Sequence, residues 1–174
     1  MIEPRDSRWR HAVAGVLVLG SLAFLQGSGA LRLGEARIGP DLVLCAVLSW
    51  AFLNGAGAGA VWGFVGGLIL DGLSAGPFGV GCFALTLVGT LAGLGRFGLY
   101  ADDVVWVTAV GALGSMAFYA IMLLAGRVEG ASVPFVPALV RVVLPAVLLD
   151  IVCVLAWVSV LRRSHRRLAG RYQV

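Results

Sequence analysis

A few residues stand out chemically against an apolar background. They are the aspartates Asp41, Asp71 and Asp150, the arginine Arg141, and glycines at 55, 59, 63 and 67. A charged group enclosed by apolar residues is costly unless it is paired or hydrogen-bonded. Asp150 follows Pro145 by five residues and lies deep in an apolar run. It reads either as a buried carboxylate satisfied by a freed backbone group, Ser or Thr, or as a step on a proton or cation path. A path needs a chain of such groups. Thr86, Thr90, Thr108 and Ser115 are the available company, too sparse for a pump. Asp71 ends one apolar segment, Asp41 opens another, and Arg141 stands at the start of a third. An ion pair between Arg141 and either Asp41 or Asp71 is expected.

The glycines carry a second kind of chemistry. Gly55, Gly59, Gly63 and Gly67 recur every four residues, and Asp71 takes the next step. On a helix that spacing makes one stripe. Such a stripe lets another backbone approach closely. It serves either as an internal packing seam or as a docking face for a partner helix. A Gly63→Leu change is expected to disturb folding or partner capture.

Catalysis has little to build on. The two histidines are His11, at the edge of an apolar segment, and His165, in a basic tail. No Ser-His-Asp set can share a face. The HExxH and P-loop patterns and the strand-linked GxGxxG are absent. Cys45, Cys82 and Cys153 lie within apolar stretches and read as small buried hydrophobes. No Cys or His pair has metal-ligand spacing. No catalytic residue, cofactor or metal is assigned.

These residues must be positioned by membrane helices. Of 174 residues, 60% are hydrophobic and 13% charged, about half the charge of an ordinary soluble domain. Mean hydropathy is +0.97. This excludes a soluble enzyme, a nucleic-acid-binding module and a disordered regulator. The 25 glycines have no Gly-X-Y period, so the chain is not collagenous.

The expected fold is all-α, a single polytopic transmembrane domain over 1–174 with six helices. They span about 11–26, 41–54, 56–73, 80–94, 104–125 and 137–161, with a basic cytoplasmic tail over 162–174. The apolar runs do not alternate as barrel strands do. Turn chemistry separates them: the Gly34–Pro40 loop, Asn54-Gly55, Ser74-Ala75-Gly76-Pro77, and Asp102-Asp103 at a cap position. Pro145 is expected to kink the sixth helix. Trp9, Trp50, Trp106 and Trp157 fall toward segment ends, as interfacial residues do, and Trp62 lies deeper.

All 13 basic residues are arginines. Arg5, Arg8, Arg10, Arg96, Arg162, Arg163, Arg166, Arg167 and Arg171 fall on one side of the expected helices; Arg32, Arg37 and Arg127 fall on the other. The positive-inside rule then puts both ends in the cytoplasm, and six crossings agree with that parity. The basic tail reads as an anchor on anionic lipid or as a contact for a cytoplasmic protein. The N-terminal segment, with small residues at Gly27-Ser28-Gly29-Ala30, also has the outline of a cleaved signal. Retention keeps the N-terminus inside.

Pro40-Asp41-Leu42, a short apolar helix, and then GFVGGLILDGLSAGPFGVGCFALTLVGTLAG together resemble the MreD family of rod shape-determining proteins. The matching positions are Pro40, Asp41, Gly63, Phe64, Gly67, Leu70, Asp71, Ser74, Gly79, Leu85 and Thr86. The specific part covers about Gly39 to Gly93. Gly39 departs from the basic residue that pattern carries before the proline, and Arg37 stands two positions earlier. The resemblance implies a multi-pass, non-catalytic scaffold of the bacterial inner membrane. It would bind MreC directly and, through it, MreB, RodA and the elongation penicillin-binding transpeptidase. Nucleic acid is no partner, membrane lipid is, and a homodimer is compatible. The family's fold is similar to that of the membrane substrate-binding subunits of energy-coupling-factor transporters. A vitamin-binding subunit of such a transporter is therefore the alternative. Its pocket would want converging polar and aromatic groups. The expected outer loops offer Arg32, Glu35, Arg37, Arg127 and Glu129, with few aromatics.

Overall fold

The computed structural model describes residues 5–29, 39–74, 76–95, 104–128, 130, 137 and 139–169; for 5–12 and 161–169 it describes the backbone alone. The expected Asp102-Asp103 cap and most of the Gly34–Pro40 loop lie outside these residues. So do Arg32, Glu35, Arg37, Arg96 and Glu129.

The described elements are helices: α1 (Arg5–Gly27), α2 (Leu42–Asn54), α3 (Ala56–Leu73), α4 (Val80–Leu94), α5 (Val104–Val128) and α6 (Leu144–Ala169). A π-helical turn, Leu139–Val143, leads into α6. The bounds of α3 and α4 match the expected ones. α1 begins earlier than expected, and α5 and α6 run further. Around Pro145 the irregularity is the π turn that precedes it. Proline has no N–H to give the carbonyl four residues back, so the ladder widens there.

Among the described residues, three stretches are long and apolar enough to cross a membrane: Ala56–Leu73, Val104–Val128 and Leu139–Val160. Val13–Gly27, Leu42–Asn54 and Val80–Leu94 are apolar but shorter. Thirteen residues of α2 rise only about 20 Å, against about 30 Å for a bilayer core.

α2 is the central helix. It packs against all five others, and Val43, Leu44, Val47, Leu48 and Ala51 are buried. A helix apolar on every side belongs in such a place. α3 and α4 form the most extensive pair, and α5 packs on α4 and α6. α1 lies against α3 and α2. Its seat is Trp62 of α3, whose indole fills the space a Cβ on Gly15 would need. Trp62 meets Trp50 edge-on, with ring centroids 6.3 Å apart. The outward surfaces carry large apolar side chains, among them Phe24 at 72% exposure and Val152 at 67%. That suits a surface solvated by lipid tails rather than water.

Candidate functional site

Two constellations gather the residues singled out above. The first is the seam between α3 and α4. A Cβ on Gly59 would collide with the Gly89 carbonyl, and one on Gly63 with the Leu85 carbonyl. A Cβ on Gly67 would strike the backbone of Gly81 and Cys82. Each step of four up α3 thus meets a step of four down α4, and the helices run antiparallel. Gly93 continues the seam, packed on the backbone of Gly55 and Ala56. The stripe's near neighbour is therefore α4 of the same chain. Gly55 stands at the end of the seam as the N-cap of α3: at φ 93° and ψ 177° it also forms the turn between α2 and α3, a backbone state suited to glycine. Gly66, outside the stripe, turns toward α2 and would meet Val43 at 3.0 Å.

Asp71 closes the top of this seam. Its Oδ2 accepts from the N–H of Gly79 (2.9 Å) and Cys82 (3.0 Å), and its Oδ1 from Gly81 (2.9 Å). The turn from α3 delivers three N–H groups of the α4 N-terminus to one buried carboxylate. Helix N-termini leave such donors without intrahelical partners, and they favour negative charge. Gly81 has no side chain because the Asp71 carboxylate occupies that space.

The second constellation joins α2, α5 and α6 around Asp150. This residue is fully buried, about midway along the Leu139–Val160 stretch. Its Oδ1 accepts the Asp41 N–H at 2.8 Å, and its Oδ2 accepts the Tyr119 hydroxyl at 3.0 Å. The Cys45 thiol lies 3.6 Å from the Asp150 carbonyl oxygen and 3.7 Å from Oδ1. Asp41 caps α2, its Oδ1 accepting the Leu44 N–H at 2.9 Å. Gln26 of α1 accepts the Val43 N–H at 3.5 Å. The α2 N-terminus therefore ends inside the bundle, level with Asp150. Buried backbone at that depth must be satisfied by the protein itself, and Asp150, Asp41 and Gln26 do so.

The expected ion pair is corrected. Neither Asp41 nor Asp71 pairs with Arg141 among the described residues; Arg141 is exposed in the π turn. Backbone donors answer both carboxylates more cheaply than a long side chain brought into the bundle. Ser115 does stand beside Asp150, as company for a buried carboxylate requires, with its hydroxyl fully buried. Thr86, Thr90 and Thr108 are turned elsewhere, each donating to the carbonyl four residues back.

Tyr119 is absent from the sequence reading. The signal was its position four residues after Ser115, on the same helix face. The α4 half of the seam was equally readable: Gly81, Gly89 and Gly93 share its spacing of four with Leu85. Cys45 and Cys82 are buried, Cys153 is half-buried, and all are free thiols. No three His, Cys, Asp or Glu side chains converge to hold a metal ion among the described residues.

The arrangement can fix helices against one another. In comparison with known proteins, the family described as rod shape-determining protein MreD matches residues 10–164. No curated protein and no solved structure matches the chain.

Proposed function

Since the chain belongs to the MreD family of rod shape-determining proteins, we propose that it is a non-catalytic membrane scaffold of the cell-elongation complex. It holds MreC directly and helps organise lateral peptidoglycan synthesis, with MreB, RodA and the elongation transpeptidase as indirect partners. The observation that carries this reading is the family match over nearly the whole chain. The family gives a role in rod-shape determination and a place in the membrane. Two features of the chain support a scaffold. Its three buried aspartates each accept from backbone N–H groups, and its outward faces are apolar.

In this reading the protein sits in the bacterial inner membrane with six crossings and both ends in the cytoplasm. The three long apolar helices, the three shorter ones and the arginine distribution support that topology. The Gly59–Gly63–Gly67 edge is occupied by α4. A helix of MreC would therefore use another apolar face.

The test is affinity capture of the C-terminally tagged protein from native membranes in mild detergent. Co-purification of MreC with wall synthases is the expected result. Recovery of an ATP-binding cassette pair with a coupling subunit, and no MreC, would overturn the scaffold. Retention of a radiolabelled vitamin would then favour the transporter subunit.

A further inference from the structure

We propose that the end of the α5–α6 pair that carries Arg127 and Arg141 binds the headgroup phosphate of an anionic phospholipid. Register brings the two arginines to one level. Tyr119 of α5 donates to Asp150 of α6, and a Cβ on Gly111 would meet Val154 at 3.5 Å. The two helices are therefore antiparallel and in contact. Arg127 lies eight residues on from Tyr119, and Arg141 nine residues back from Asp150. Both therefore stand about 12–13 Å beyond the Tyr119–Asp150 bond. Both are exposed.

α3 stops short of that level. The Asp41 N–H reaches Asp150, so α2 begins beside the same bond. Gly66 of α3 packs on Val43 of α2, and α3 ends seven residues later at Leu73. That end lies about 7–8 Å beyond the bond, so the arginines overtop it by about 5 Å. A headgroup layer adds about 5–8 Å to each side of a bilayer's hydrocarbon core. The two cations thus reach headgroup height where α3 ends at the hydrocarbon edge.

The second observation is the surface beneath them. Leu124, three residues before Arg127, is exposed, as are Leu144 and Leu148, three and seven residues after Arg141. Such spacing keeps each leucine near its arginine's side of the helix. An apolar surface with cations at its rim matches a phospholipid, acyl chains below and phosphate above, and not a soluble anion. Arginine suits the phosphate, because its planar fork donates two hydrogen bonds at once. Its stem can lie along apolar surface while the guanidinium reaches the headgroup.

α1 begins and α6 finishes on the far side of the Tyr119–Asp150 bond, so the basic tail is a separate place for anionic lipid. The proposal rests on the membrane placement given above and not on MreC. Its failure leaves the scaffold standing, and failure to capture MreC leaves the lipid site standing.

The experiment is hydrogen exchange on the full chain in neutral detergent micelles carrying phosphatidylglycerol or zwitterionic phosphatidylcholine. Phosphatidylglycerol is expected to slow exchange about threefold over 124–128 and 139–144, and phosphatidylcholine is not. Arg127→Gln combined with Arg141→Gln should abolish that slowing, and Arg166→Gln combined with Arg167→Gln should keep it. Equal exchange in the two lipids overturns the proposal. So does a slowing confined to the tail, one that the Arg127 and Arg141 variant keeps in full, or one that inorganic phosphate alone reproduces. Should the double variant fail to fold, Arg141→Gln decides alone, with a partial loss expected, because that side chain is exposed and joined to neither Asp41 nor Asp71.

Discussion

Along α3 and α4 the contact is made where side chains are missing: Gly59 and Gly63 let backbone meet backbone. Around Asp150 the contact is made by side chains, as one carboxylate takes an N–H from α2 and a hydroxyl from α5. Lipid tails are as apolar as leucine, so neither contact gains much from expelling them. The seam relies on close dispersion contact over many atoms. The node relies on the cost of leaving a polar group unsatisfied. Asp71 belongs to both kinds, a carboxylate that terminates a glycine seam. The two regions should therefore fail differently, the seam by bulk and the node by loss of an acceptor.

The largest effect is expected from Gly63→Leu. Its side chain meets the Leu85 carbonyl and the Thr86 backbone, neither of which can swing away. A cost of about 3 kcal/mol follows from forced overpacking. The yield of monodisperse protein in detergent should fall sharply; a native yield would break the seam half of the comparison.

Next comes Asp71→Ala, which strands three N–H groups of the α3–α4 turn. A loss of about 2–3 kcal/mol is expected, read as a lower midpoint of thermal unfolding. Asp150→Ala removes the acceptor of the Asp41 N–H and the Tyr119 hydroxyl. About 2 kcal/mol is expected, with faster hydrogen exchange at the α2 N-terminus as its local sign. Unchanged exchange there would show that Asp150 does not hold α2.

Tyr119→Phe is milder, about 1 kcal/mol, because Asp150 keeps its bond from Asp41. It sharpens the comparison by separating the α5 tie from the α2 tie. The smallest effect belongs to Arg141→Ala. With Arg141 exposed and joined to neither aspartate among the described residues, the change should stay within about 0.5 kcal/mol. A larger loss in the same unfolding assay would restore an ion pair to the account.

Much of this was readable beforehand. The apolar runs and turn residues mark where the helices lie, because segment length and Gly/Pro chemistry are local properties. The spacing of Gly59, Gly63 and Gly67 marks a smooth edge, since helical periodicity alone aligns them. Gly55 shares that spacing and also forms a turn, which depends on where α3 begins. Asp71 was legible as a residue needing a partner. The identity of the partner was not, because its three donors come from a turn whose path brings residues 79–82 back over the helix end.

By itself, then, the sequence determined a helical, lipid-solvated protein with a few polar groups that must be satisfied internally. Composition and periodicity suffice for that, since they report how each segment meets its solvent. Only the tertiary structure decided which groups meet: Asp150 with Asp41 and Tyr119 rather than either aspartate with Arg141, and the glycine edge with α4. Those choices join residues as far apart as 41 and 150. They rest on the register of antiparallel helices, which no local pattern encodes. Inside a bundle, backbone N–H groups left free at helix ends compete successfully with a distant arginine for a buried carboxylate.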